Sequence, residues 1–281
     1  MAWRLIQYGV HSIFESMAID EAIFLHTIKN NASPTLRFYS TSPEAVSLGY
    51  FQDAGKEINL EKCQQEGVDV VRRITGGKAV FHFQEITYCV TAASGEPMFP
   101  KNIAGTYNII SACLARGLGY LGIEAFLAEG KRKAADGDFE SFCFASPSQN
   151  ELLVEGRKIC GSAQMRKHGG FLQHGSLLTS FDAQKTASLL LPDCGKEKAA
   201  TIKKSVTALD EHLKESLATS EICAILKKGF ADQLGIELKE GRLTAEEEKL
   251  KNILIKKYVS TEWNMKIISM FRPDFNQEEN K

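Results

Sequence analysis

The chain has 281 residues, enough for one large domain or two small ones. Its apolar fraction of 43% and charged fraction of 25% are those of an ordinary globular protein, and a formal net charge of −1 supplies no basic field for nucleic acid. No apolar run approaches the roughly 20 residues of a membrane span, and the N-terminus enters a strand pattern without the apolar core of a signal peptide, so a cytoplasmic protein is expected. Seven cysteines lie scattered, with no Cys-x-x-Cys pair, which speaks against a disulfide framework and against a zinc site of the usual spacing. Reduced thiols fit best, and any that matters should act singly.

Trp3 to Tyr8 alternates apolar and polar residues and predicts a half-buried strand. Ser12 is placed to cap a helix over about residues 14–29, with Phe14, Met17, Ala18, Ala22 and Leu25 along one face. Asp20 and Glu21 fall opposite and read as a solvated face. Short strands are expected over 35–39 and 45–50, then a short helix over 59–65 capped by Asn59.

The most informative stretch runs from Val71 to His82. An apolar run ends in Arg72 and Arg73, a turn carries Gly76 and Gly77, and a second apolar run leads to His82. Paired glycines let the backbone press close to a ligand, and successive free N–H groups can hold an anion. Adjacent arginines offer forked donors suited to carboxylate or phosphate. Read blandly, the same residues are a Gly-Gly hairpin with two surface arginines. His82 is equally readable as a group that bonds a substrate carbonyl and as a satisfied structural histidine.

A strong strand follows over 86–91, then a helix within 101–122 whose stripe Ile110, Cys113, Leu114, Gly117, Leu118, Leu121 places Cys113 in the core. Residues 128–140 are charged, glycine-punctuated and aperiodic, the pattern of a long exposed loop. That loop runs into Ser141-Phe142-Cys143-Phe144. Residues 151–160 read as a tight hairpin turning at Glu155-Gly156, with Lys158 on the return strand, and small residues follow at Gly161, Ser162 and Ala163 as a second glycine-bearing turn. Phe171 to Leu178 is a strand carrying Gln173 and His174. Helices are expected over 183–191, near 207–217, over 220–234 and over 245–258, with a frayed tail over 272–281. A long mixed sheet with helices packed on it is the simplest architecture.

Two thiols compete for a chemical role. A cation beside a thiol favours the thiolate, and moving its pKa from about 8.5 to roughly 6.5 raises the thiolate fraction at pH 7 from about 3% to about three quarters. Lys158 is interesting if it faces Cys143; otherwise it is a solvent-facing strand lysine. Cys160, two residues from Lys158 and expected on the same face, is most simply packing.

Two motifs together exceed chance. Arg72-Arg73-x-x-Gly76-Gly77-x-Ala79-Val80-x-His82 resembles the signature of lipoate-protein ligases and related octanoyl transferases. Gly156-Arg157-Lys158-Ile159-Cys160-Gly161-Ser162-Ala163-Gln164 resembles the lysine motif of the same superfamily. Met17-Ala-x-Asp20-Glu21 and Gln173-His174-Gly175-Ser176 also resemble family positions. Within the superfamily the likeness is strongest to octanoyltransferases with a cysteine in a Cys-Phe-x-x-Pro-Ser context; here Cys143-Phe144-Ala145-Ser146-Pro147-Ser148 has that form.

The resemblance implies an α+β fold, a mixed and largely antiparallel sheet packed with helices, similar to biotin ligases and class II aminoacyl-tRNA synthetases. It implies a catalytic domain over 1–240, its motif-bearing core about 33–240, and a helical extension over 241–281 packed on it. It further implies octanoyl transfer from acyl carrier protein to a lipoyl-domain lysine, such as that of the glycine cleavage H protein, in lipoate biosynthesis. Cys143 would carry the acyl group as a thioester. Lys158 would lower the thiol's pKa and contact the carbonyl. Arg72, Arg73, Gly76, Gly77, His82, Gly161, Ser162 and Ala163 would bind substrate. No cofactor, metal, nucleic acid or membrane is expected. The rivals are an ATP-dependent lipoate ligase, an amidotransferase that takes octanoyl from H protein, and a non-catalytic lipoyl-domain binder.

Overall fold

The computed structural model describes residues 2–128, 151–167, 169–190 and 196–267. In chain order its elements are β1 (Ala2–His11), α1 (Ile13–Asn30), β2 (Thr35–Thr41), β3 (Ala45–Leu48), α2 (Ala54–Glu57), α3 (Leu60–Gln65), β4 (Asp69–Arg72), β5 (Val80–His82) and β6 (Glu85–Ala93). There follow α4 (Ile103–Tyr120), β7 (Phe126–Leu127), β8 (Leu152–Val154), β9 (Arg157–Lys167), β10 (Gly170–Leu178), α5 (Ala183–Leu190) and α6 (Lys196–Ser205). The last are α7 (Thr219–Leu234), β11 (Glu237–Gly241), α8 (Ala245–Tyr258) and α9 (Thr261–Asn264).

An eight-stranded sheet has the order β11-β1-β2-β6-β10-β9-β8-β7. β1 runs parallel to both β11 and β2, and the remaining pairs are antiparallel. This is the mixed, largely antiparallel sheet expected of the sequence. β11 straddles the expected boundary at residue 240 and forms the edge beside β1.

Side-chain alternation sorts the sheet's faces. Phe38, Tyr88 and Phe171 point to one side, into a core closed by α4 and α7. Their neighbours Tyr39, Cys89 and Leu172 point to the other, against Phe24 of α1. α4 and α7 cross so closely that a Cβ on Gly229 would stand 2.5 Å from the Gly117 nitrogen, so neither helix tolerates bulk there. Cys113 lies fully buried in this core, as the stripe predicts.

A second, three-stranded sheet has the order β4-β3-β5. β3 pairs parallel with β4 and antiparallel with β5, so it lies between the two strands that flank the Gly-Gly turn. The bland hairpin reading is thereby overturned: the connection from β4 to β5 steps over a strand contributed from earlier in the chain. Residues 207–217 also differ from expectation, holding one 3₁₀ turn, Leu209–Glu211, in place of a helix.

The acidic pair of α1 is the largest departure. Asp20 is 2% exposed, and its carboxylate accepts from Arg37 Nη1 at 2.6 Å and from Tyr39 Oη at 3.0 Å. Glu21 accepts from Lys257 Nζ at 2.7 Å and Tyr258 Oη at 2.6 Å. The expected solvated face fails because Asp20 faces β2 of the sheet, while α8 packs over α1 at Glu21, bringing Tyr258 into its core and pairing Glu247 with Arg4. No described helix is long and apolar enough to cross a membrane.

Candidate active site

A small cavity of about 30 Å³ lies where the two sheets meet. Its floor is the pair β9 and β10, at Gly161, Ala163, Gly175 and Ser176; small side chains on facing strands leave the space. β3 and β5 supply Ser47, Val80 and His82 from the second sheet, and α1 supplies Met17. Met17, Val80 and Ala163 make part of this wall hydrocarbon.

Arg73 is the polar centre of the lining. Its Nη1 donates to Ser47 Oγ at 2.8 Å and Ser47 O at 2.9 Å. Nη2 donates to the carbonyls of Gly76 and Lys78, and Nε donates to Thr75 Oγ1 at 3.3 Å. The guanidinium therefore folds the glycine turn around itself. Gly77, at φ 91°, adopts a conformation that suits glycine, and it passes Gly49 so closely that a Cβ there would stand 1.9 Å from the Gly77 oxygen.

Two imidazoles line the cavity. His82 Nε2 is 2.7 Å from Ser47 Oγ, and its Nδ1 bonds Glu85 Oε1. His174 Nε2 is 2.8 Å from Thr75 Oγ1, while its Nδ1 lies 3.7 Å from Asp20 Oδ2, beyond hydrogen-bond reach. Burial pushes His174 below the usual histidine range. Burial alone would raise the Asp20 carboxyl, but the Arg37 guanidinium and the facing His174 together outweigh it and hold the group below the usual carboxylate range.

The structure thus brings together Arg73, Gly77, His82, Gly161, Ser162 and Ala163 from the expected set. Arg72 stands apart. Its guanidinium is fully buried and donates to the carbonyls of Gly49, Tyr50, Gln52, Trp263 and Asn264, so it ties the loop after β3 to α9. Gly76 is likewise outside the lining and serves as an acceptor for Arg73. The second glycine-bearing segment, Gly161 to Ala163, is interior to β9 rather than a turn.

Lys158 is not a surface lysine: it is 0% exposed, and its Nζ donates to Glu151. Nor does it share a face with Cys160. Leu152 pairs with Cys160 and Leu153 pairs with Lys158, so Ile159 is an extra bulge residue. Leu152 and Leu153 point to opposite faces, and their partners follow them. Cys160 therefore enters the α4–α7 core, where burial pushes its thiol up to about 12.

The other described cysteines are no better placed as nucleophiles. Burial raises Cys63 to about 11, Cys113 and Cys223 to about 12, and Cys89 well above its usual value. At pH 7 such thiols hold about one thiolate in ten thousand or fewer. Cys143 and Cys194 remain, and both lie outside the described residues, as does the expected loop beyond residue 128.

Ser47, Thr75, Glu85 and Ser176 escaped the sequence reading as site residues. One signal was available for Glu85: a carboxylate three residues after His82 that opens a strand otherwise built of buried residues.

The cavity is thus lined by small and apolar residues, with Arg73 and two imidazoles at its polar side. A family model described as the lipoyl protein ligase A/B catalytic domain matches residues 12–231. The chain belongs to that family. Among curated relatives, octanoyltransferase LipM of Kyrpidia tusciae is 38% identical, with 93% of this chain and 98% of that one covered. Octanoyltransferase LipM of Symbiobacterium thermophilum is 40% identical, covering 94% and 98%; that of Bacillus subtilis is 36% identical, covering 94% and 98%. Among solved structures, lipoate-protein ligase A bound with ATP aligns with a TM-score of 0.79 at 25% identity, covering 95% of this chain and 100% of that one. A bi-partite lipoate protein ligase from Thermoplasma acidophilum aligns with a TM-score of 0.79 at 25% identity, covering 96% and 98%.

Proposed function

We propose that the chain is an octanoyltransferase of lipoate biosynthesis that moves octanoyl from acyl carrier protein to a lipoyl-domain lysine through a thioester on Cys143. The observation that carries the thiol assignment is the state of the other cysteines. Five are buried groups with pKa values raised far above neutrality, which leaves Cys143 as the thiol in the family's cysteine context. The octanoyltransferase relatives, matched along nearly their whole length, support the acyl group and the class of acceptor.

The donor is a thioester, and the Cys143 thiolate takes its acyl group in a nearly balanced exchange. The lysine amine of a lipoyl domain, such as the glycine cleavage H protein, then forms an amide, a downhill step that needs no ATP. In this reading the alkyl chain enters beside Met17, Val80 and Ala163, the apolar part of the lining. Arg73 and the backbone at Gly77 and Gly161 lie where the acyl carbonyl enters, and Ser162 completes that wall with its hydroxyl bonded to Tyr88. Lys158 is buried and donates to Glu151, and in this reading its positive charge lowers the pKa of the Cys143 thiol. Arg72 and Gly76 hold the substrate loop in shape rather than touch the acyl group. Residues 1–240 act as the catalytic unit in the cytoplasm, with 241–281 an extension fixed by α8 on α1 and by Asn264 on Arg72.

Intact mass after incubation with octanoyl-acyl carrier protein tests this reading. One octanoyl group labile to hydroxylamine, kept in Cys194→Ala and Cys160→Ala and absent in Cys143→Ala, is expected. Acylation of a lipoyl domain that needs ATP and survives Cys143→Ala would make the chain a lipoate ligase instead. Octanoyl taken from H protein and not from acyl carrier protein would make it an amidotransferase.

A further inference from the structure

We propose that Ser47, His82 and Glu85 form the relay that takes the proton from the attacking amine. This rests on the octanoyl-transfer reading and adds a second chemical group to it, distinct from the thiol. A lysine amine is protonated at pH 7, with about one molecule in a few thousand neutral. Attack on the thioester therefore needs a proton acceptor at the carbonyl. The two imidazoles that line the cavity are the candidates, and their surroundings separate them.

His174 is poorly placed to hold a second proton. Its Nδ1 makes no hydrogen bond, and the facing Asp20 already accepts from Arg37 and Tyr39. His82 is the opposite case. Its Nδ1 bonds Glu85 directly, and among the described residues Glu85 has no ion pair with any other cation. Glu85 Oε1 also accepts from Thr87 Oγ1 at 2.9 Å, while Oε2 has no partner. Glu85 is thus a buried carboxylate whose charge is available to an imidazolium.

The hydrogen-bond directions run one way. Arg73 can only donate, so it fills a lone pair of Ser47 Oγ at 2.8 Å and leaves the hydroxyl hydrogen for His82 Nε2 at 2.7 Å. A carboxylate only accepts, so His82 keeps its Nδ1 proton toward Glu85. Ser47 and His82 both line the cavity. An ammonium proton of the incoming lysine passes to Ser47 Oγ as the hydroxyl proton of Ser47 passes to His82 Nε2, which leaves a neutral amine. The amine nitrogen then forms the C–N bond as the C–S bond breaks, and the second proton, lost from that nitrogen, goes to the departing thiolate, so the products are the amide and the free thiol. The imidazolium, held by Glu85, gives up the first proton to solvent. Ser47 is the group that meets the substrate; His82 and Glu85 act through it.

The test separates the two half-reactions. Enzyme is loaded from octanoyl-acyl carrier protein, freed of donor, and chased either with H protein or with hydroxylamine, an amine that is largely neutral at pH 7. Glu85→Gln presents an amide N–H to His82 Nδ1 and selects the wrong tautomer, with Nε2 protonated. It should load as the wild type does, transfer to H protein about 100-fold more slowly, and react with hydroxylamine at the wild-type rate. Ser47→Ala should give the same pattern. Parallel losses in loading, transfer and hydroxylamine reaction would mean a structural role only, and unchanged transfer to H protein would leave the relay without a function; either overturns the proposal. Wild-type enzyme that does not load would instead remove the thioester reading on which the relay depends.

Discussion

Two hydroxyl–imidazole–carboxylate chains leave Arg73 in different directions, Ser47–His82–Glu85 and Thr75–His174–Asp20. They match in residue type and differ in closure. In the first, every link is a hydrogen bond, and the carboxylate faces no other cation among the described residues. In the second, the last link is a 3.7 Å gap, and the carboxylate is spent on Arg37 and Tyr39. The same three side-chain types thus build a proton acceptor on one side and a buried strut on the other. What decides is where the nearest fixed positive charge sits. Arg37 sits on β2 under α1 and claims Asp20, and among the described residues no equivalent sits over Glu85.

Substituting the two carboxylates exposes the contrast most sharply. Asp20→Asn leaves Arg37 buried without its counter-charge and should cost about 3–5 kcal/mol in urea unfolding, with the surviving folded fraction still able to transfer octanoyl. Glu85→Gln should do the reverse, lowering transfer to a lipoyl domain about 100-fold, equivalent to about 2.7 kcal/mol, with a much smaller change in the urea midpoint. If the two variants swap these signatures, the roles assigned to the chains are wrong. Tyr39→Phe removes one donor from Asp20 and should cost about 1 kcal/mol of stability with normal transfer rates.

The smallest effect concerns acid. An unfolded histidine takes up a proton near pH 6.5, whereas burial makes His174 resist one. Below that pH the unfolded state binds more protons, so stability falls as the pH drops from about 7 towards 5. Asp20, held below its ordinary value, contributes stability that is lost only on further acidification, below about pH 4. His174→Gln should flatten the first window of a urea-midpoint series. A series unchanged from the wild type would mean that His174 takes up its proton alike in the folded and the unfolded chain.

How much of this was legible beforehand depended on the range over which the deciding contact acts. The capped helix at Ser12, the stripe through Cys113 and the hairpin carrying Lys158 are local patterns, and each is found where its period places it. Asp20 and Glu21 were misread because their partners lie elsewhere in the chain: Arg37 and Tyr39 of β2 hold Asp20 against the sheet, and α8, more than two hundred residues later, covers Glu21. Arg72 and Arg73 look alike as neighbours in sequence, yet alternation along the chain sends one towards α9 and the other into the cavity. Nothing local to the Gly-Gly turn shows that β3 will come between the strands it joins. The bulge at Ile159 reverses a simple count of two, moving Cys160 away from Lys158. Glu85 acquires its meaning from Ser47, which lies on a different strand of the second sheet from His82 and is brought to it by register alone.

The most direct measurement is a single-turnover chase without ATP. Enzyme loaded with octanoyl and freed of carrier protein is mixed with H protein, and both masses are followed in time. One octanoyl group should leave the enzyme at the rate at which it appears on the acceptor, in a form that resists hydroxylamine. Octanoyl that stays on the enzyme, or that moves only after ATP is added, would contradict the transfer mechanism.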